Sequence, residues 1–137
     1  MTALSELGGW IASISDDHDP RAYTAARTAL IDTVACILGG TSEEVTNFAR
    51  KSVLRWPGGI CHAVGGVRIA APHAALINGT AAHALDFDDN DKPGATHPSA
   101  VIYPSLLALA EERNKSGRAV LDAYIIAIEV IGRIGEA

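Results

Sequence analysis

The sequence predicts a mostly α-helical domain with one small β-hairpin. Apolar residues recur at helical spacing through most of the chain, and a single short β-prone stretch is split by Gly65-Gly66. The placing of Pro and Gly at the ends of the periodic runs sets the boundaries of five or six helices.

The first helix is expected near Leu4–Ile14, where Leu4, Leu7, Ile11 and Ile14 share a face, weakened by Gly8-Gly9. The second is the clearest. Asp19 can cap it, Pro20 suits its first turn, Tyr23, Ala26, Leu30, Val34 and Ile37 form its apolar face, and Gly39-Gly40 ends it. Thr41 followed by Glu44 has the form of a capping box and opens a third helix, which Pro57-Gly58-Gly59 stops after Trp56. The run Ile60–Ile69 reads as the hairpin. Pro72 lies in the first turn of a fourth helix, from Ala71 to about Phe87. A fifth spans Pro98 to about Arg113, kinked or begun late because of Pro104. The last starts near Arg118 and is apolar around most of its girth, from Val120 to Ile134, so it expects neighbours on several sides. No stop signal closes it at Gly135-Glu136-Ala137, and the domain is expected to lack some of its packing partners.

The composition is that of a folded protein, with 48% hydrophobic and 20% charged residues in 137, enough for one domain with a core. A net charge of −5 without any basic cluster argues against nucleic acid as a partner. The uncharged stretches are interrupted by Pro, His and Asn, which argues against a membrane span, and the N-terminus lacks the basic start of a signal peptide. Cys36 and Cys61 read as two buried thiols in a reducing, cytoplasmic setting.

Chemistry concentrates between His83 and His97. Four carboxylates (Asp86, Asp88, Asp89, Asp91) and two imidazoles fall within fifteen residues where one helix gives way to the next. Three readings compete. The first is a solvated acidic turn, which treats Asp86 and Asp89 alike. The second is a metal loop. Asp86-x-Asp88-x-Asn90 copies the start of a calcium loop, but Asp91 stands where Gly is needed and His97 where a bidentate Glu is needed. A diphosphate-binding Asp-Asp-x-x-Asp also fails, because Lys92 follows Asp88-Asp89 at that place. The third is acid–base chemistry. Imidazoles titrate near neutrality, which makes His97 a candidate to take or give a proton. Asp86 is then a proton carrier or the group that orients His97, since crowded carboxylates resist ionising together. Asn90 and Thr96 can add neutral hydrogen bonds, and His83 shares a helical face with small residues. His18, His62 and His73 read as structural.

Asn78-Gly79-Thr80-Ala81-Ala82-His83-Ala84-Leu85-Asp86-Phe87-Asp88-Asp89, then Thr96-His97-Pro98-Ser99 and Pro104, resembles the signature of the MmgE/PrpD family. Ala29–Val34 and Glu129–Gly135 resemble its flanking helices, so the resemblance covers essentially the whole chain. It implies the N-terminal portion of a large helical domain that carries an α+β lid, usually in a homodimer. It also implies metal-free lyase or isomerase chemistry on a small polycarboxylate: 2-methylcitrate dehydration, cis-aconitate decarboxylation or iminodisuccinate epimerisation. No cofactor is implied. Asp86 and His97 match active-site positions of the family motif. Asn90 stands where some members place a substrate-contacting threonine, and the later histidine and the lid lysines fall beyond Ala137. The loop itself offers only Lys92, and His97 when protonated, against four aspartates, so binding a polycarboxylate requires cations from elsewhere. This chain alone is therefore expected to be inactive and to self-associate or join the missing part of the enzyme. The rival expectations are a non-catalytic helical module, whether a truncated product or a dimerisation piece, and a metal-dependent helical enzyme using the Asp86–Asp91 loop.

Overall fold

The computed structural model describes residues 2–92 and 95–135. Pro93-Gly94 of the acidic loop and Glu136-Ala137 of the expected open end lie outside the described residues. The chain forms α1 (Ala3–Ser13), α2 (Pro20–Gly39), a one-turn 3-10 helix (Gly40–Ser42), α3 (Glu44–Val53), β1 (Cys61–Ala63), β2 (Val67–Ile69), α4 (Ala71–His83), α5 (Pro98–Glu112) and α6 (Gly117–Gly135). The mostly helical class with one antiparallel hairpin is as the sequence predicts.

Local chemistry explains most boundaries. Asp19 caps α2 by accepting from the Arg21 N–H, with Pro20 in the first turn. The hairpin pairs Cys61 with Ile69 and Ala63 with Val67, and its loop needs positive φ at Gly65 (89°) and Gly66 (80°). Helix α1 has a cap missed in the sequence, a reciprocal capping box between Thr2 and Ser5.

Two boundaries differ from expectation. Thr41 does not cap α3: its hydroxyl donates back to the Ile37 carbonyl, the chain makes a 3-10 turn, and α3 starts at Glu44 from a Glu43 that forms no side-chain cap bond. Helix α4 stops at His83 rather than near Phe87, because Asp86 takes a left-handed conformation (φ 55°) and turns the chain away.

Helix α4 is the hub, packed against α2, α3, α5 and the hairpin, while α6 covers α5 and α2. Small residues make its close approaches possible. A Cβ on Gly40 would sit 2.0 Å from the Ala81 carbonyl, and one on Gly79 would sit 3.1 Å from the Ala100 carbonyl. Ala100 is the residue whose helical partner, Pro104, has no N–H to give, yet α5 continues through Pro104. Asn78 accepts from the Val64 N–H at 2.8 Å and donates to the His62 carbonyl at 3.0 Å, fixing the hairpin to α4.

The hairpin's outer face is clasped to the end of α5. The His62 backbone N–H donates to Glu111 Oε2 at 2.7 Å, and its Nδ1 meets Glu111 Oε1. Arg68 Nη2 lies 2.8 Å from His62 Nε2. Arginine only donates, so Nε2 accepts and Nδ1 carries the proton that Glu111 receives. Burial acts to raise the Glu111 carboxyl, but the backbone and side-chain hydrogen bonds from His62 outweigh it and hold the group below its usual value.

The core forms three clusters. One joins the hairpin to α3, α4 and α5 through Cys61, Ile69 and Ile77. A second joins α2, α5 and α6, with Tyr103 and Tyr124 stacked at 4.0 Å. The third, Ile37, Ala81, Ala82 and Ala100, lies where α2, α4 and α5 meet. Cys61 is buried as expected, whereas Cys36 is only half-buried; both thiols are free. Helix α6 buries Val120, Leu121 and Tyr124 but leaves Ile134 exposed, and Ile31 and Leu38 of α2 are also bare. None of the described helices is long and apolar enough to cross a membrane.

Candidate active site

The site forms where the chain leaves α4 and returns as α5. After the left-handed turn at Asp86, the chain bends again at Asp88. Phe87 is exposed, and the Asp88 side chain is 1% exposed, buried beneath the loop. The return is fixed by an antiparallel bridge in which Asp91 N–H donates to the Thr96 carbonyl at 2.8 Å and Thr96 N–H to the Asp91 carbonyl at 3.2 Å. That bridge brings His97, at the start of α5, back over His83, at the end of α4. The two rings lie 4.7 Å apart, tilted by 59°.

The two imidazoles share Asp88. His83 Nδ1 lies 3.0 and 3.1 Å from its carboxylate oxygens, and His97 Nδ1 lies 3.4 Å from Oδ2. On the other side of the His97 ring, Nε2 is 3.8 Å from Asp86 Oδ1 and 3.5 Å from the Asn90 amide nitrogen. The Asp86 side chain is 79% exposed, so it meets His97 from solvent while Asp88 meets it from the core.

Asp89 has a different job. Helix α5 has no side-chain cap at His97, and Asp89 takes that role from across the loop, accepting from the Ser99 N–H at 3.0 Å and the Ser99 hydroxyl at 2.5 Å. A carboxylate at a helix N-terminus is also favoured by the helix dipole. Ser99 Oγ spends its proton on Asp89, so the Tyr124 phenol, 2.7 Å away, donates to Ser99. Burial pushes the Tyr124 phenol up; the Ser99 bond opposes this, and the Asp89 charge reinforces it.

An open trough of about 950 Å³ runs along α4 and α5 from this cluster. Val45, Leu76, Ala100 and Val101 form its apolar walls, and His83, Thr96 and His97 its polar end. Among the described residues, its lining contains no Lys or Arg. Lys92 is exposed in the turn after Asp91 and does not line the trough.

Of the sequence-derived candidates, Asp86, His97, His83, Asn90 and Thr96 are thus brought together, and Lys92 stands apart. The residue missed is Asp88. Its signal was absent: Asp86 and Asp88 look alike in the sequence, and only the returning chain, which brings His97 over Asp88, shows that Asp88 points inward. His83, Asp86, Asp88 and His97 each offer one ligand atom, all within 4.8 Å of one another, which is also compatible with a cation.

A helical domain with a His–Asp cluster at the polar end of an interhelical trough now has a family. The chain belongs to the MmgE/PrpD family, whose N-terminal domain matches residues 5–137. It is 36% identical over 121 residues to the cis-aconitate decarboxylase of Homo sapiens, covering 83% of this chain and 25% of that protein. It is 29% identical over 143 residues to a cis-aconitate decarboxylase-like protein of Aspergillus oryzae, covering 97% of this chain and 30% of that protein. The chain therefore spans between a quarter and a third of the length of these relatives.

Proposed function

We propose that these residues are the N-terminal part of the helical domain of a metal-independent lyase or isomerase. The enzyme moves a proton at a carbon next to a carboxylate of a small di- or tricarboxylate. The observation that carries this reading is that His97, which lines the polar end of an apolar trough, also has its Nε2 3.8 Å from Asp86. A substrate carbon skeleton lies along Leu76, Ala100 and Val101, and its acidic C–H meets the imidazole. His97 Nε2 takes that proton and becomes imidazolium, leaving the electron pair on the substrate, and Asp86 stabilises the imidazolium or passes the proton on. His83 and Thr96 contact the substrate from the trough wall, and Asn90 holds the Nε2 side of the ring. Lys92 reaches the substrate only if the loop carries it over the trough.

Carboxylates require cationic partners, and among the described residues the trough lining holds none. The complete site therefore takes its cations from residues outside these, in a longer polypeptide with a lid domain, acting as a cytoplasmic homodimer. Decarboxylation of cis-aconitate is the first activity to test, because both relatives described above carry that name. The test is turnover of cis-aconitate, 2-methylcitrate and iminodisuccinate by the longer protein containing this domain, before and after EDTA. Turnover of one substrate that survives chelation supports the proposal. Turnover abolished by EDTA and restored by a divalent ion would instead establish the second reading, a cation held by His83, Asp86, Asp88 and His97. Turnover of none would favour a non-catalytic module.

A further inference from the structure

We infer that Asp88 is a positioning residue that fixes the tautomer of His97, holding its proton on Nδ1 so that Nε2, on the Asp86 side of the ring, is left as the basic nitrogen. This rests on the reading of His97 as the proton-transfer group and identifies what prepares it.

The Asp88 side chain is 1% exposed. A carboxylate sealed from water must find donors. Among the described residues, the polar groups that reach Asp88 are the two imidazole Nδ1 atoms. His83 Nδ1, at 3.0 Å, donates to it. His97 Nδ1 is itself shut off from solvent, and no group among the described residues is in hydrogen-bonding geometry with it. The atom it faces is Asp88 Oδ2 at 3.4 Å. If the Nδ1 position carried a lone pair, that lone pair would point at an anionic oxygen in a dry site, which is repulsive. With a proton there, the same contact is attractive. The ring therefore places its proton on Nδ1, and catalytic contacts of this kind are often long before substrate binds.

On the far side of the ring, Asp86 Oδ1 lies 3.8 Å from Nε2 and attracts a proton there. Its side chain is 79% exposed and screened by water, whereas that of Asp88 is 1% exposed, so Asp88 prevails. The Asn90 amide nitrogen, 3.5 Å from His97 Nε2, only donates, so it favours an unprotonated Nε2. A neutral imidazole with Nδ1–H held by a buried carboxylate is the arrangement that leaves Nε2 basic. By using one carboxylate for both rings, the structure also ties the end of α4 to the start of α5. His83 is then a second donor that keeps Asp88 aimed, and its ring is held against that of His97.

The test reads ring protonation directly. The 137-residue chain, labelled with 15N, is examined by long-range 15N–1H correlation at mildly alkaline pH, with His97 and His83 assigned by His→Gln substitution. The expected result is an Nδ1–H, bare-Nε2 ring for both histidines. In Asp88→Asn, whose side chain offers one acceptor and one donor, at least one of the two rings is expected to switch to Nε2–H. In the longer enzyme the same exchange is expected to lower kcat by about 10²–10⁴-fold with little change in KM, comparable to the loss when asparagine replaces the orienting aspartate of a serine-protease triad. His97 found as Nε2–H in the unmodified chain would overturn the inference, and so would tautomers unchanged in Asp88→Asn. The unmodified spectrum decides the question even if the variant does not fold. Because tautomer and turnover are separate readouts, a wrong tautomer removes the role of Asp88 without touching the proposed reaction, and absent turnover with the right tautomer does the reverse.

Discussion

Replacing Asp89 by alanine is expected to destabilise the domain strongly, whereas the same change at Asp86 is expected to cost much less. Asp89 accepts two hydrogen bonds from Ser99, and Ser99 is 1% exposed, so water cannot replace the lost partner. Loss of a helix cap costs about 1 kcal/mol. A buried hydrogen bond to a charged group contributes about 1.5–3 kcal/mol. The Ser99 hydroxyl retains Tyr124, which moderates the second figure, so a loss of about 2–4 kcal/mol is expected. At roughly 4 °C per kcal/mol for a chain of this size, Tm falls by about 8–16 °C. The Asp86 side chain is 79% exposed. Truncating an exposed polar group changes stability by less than about 0.5 kcal/mol, and placing alanine at the left-handed φ of 55° adds roughly 1 kcal/mol, so Tm falls by no more than about 6 °C. Thermal melting by far-UV circular dichroism at neutral pH compares the two variants. Equal shifts, or an Asp89→Ala protein melting within about 2 °C of the parent, would refute the division of labour drawn between the two aspartates.

Three further outcomes are expected. Gly40→Ala puts a Cβ 2.0 Å from the Ala81 carbonyl and should cost more than about 3 kcal/mol or prevent folding, which chemical denaturation can measure; a loss below about 1 kcal/mol would deny the close contact of α2 with α4. The lowered Glu111 carboxyl contributes stability that is present above its ordinary value, about 4.3, and is lost as pH falls through the folded value. Glu111→Gln should accordingly flatten the fall in Tm below about pH 5, and an unchanged profile would remove the clasp from the account. A thiol reagent should label half-buried Cys36 in the folded chain and reach Cys61 only on unfolding, with equal labelling refuting the packing of the hairpin.

The elements that depend on local chemistry were legible in the sequence. Asp19 and Pro20 open α2, Gly65-Gly66 turns the hairpin, and Pro98 starts α5, each through an interaction spanning a few residues. The misread boundaries were decided at longer range. Thr41 and Glu44 have the spacing of a capping box, but Gly40 is pinned against Ala81, and Thr46 donates to the Gly40 carbonyl, so the chain turns there instead. Helix α4 reads as continuing past His83 because nothing nearby forbids it; the turn at Asp86 is stabilised by burying Asp88 between two imidazoles, one of which arrives only through the Asp91–Thr96 bridge. For the same reason the pattern led to Asp86 and His97 but not to Asp88 or to the capping role of Asp89. Aspartates two or three positions apart look alike until the returning chain gives each a different partner.

Proton transfer by His97 and Asp86 is tested most directly by the steady-state turnover of His97→Ala and Asp86→Ala in the longer protein, alongside far-UV circular dichroism to verify folding. A general acid or base contributes about 10²–10⁴-fold, so each variant should fold and lose at least about 100-fold in kcat. Folded variants that both keep near-normal rates would contradict the claim and leave the loop as a solvated turn.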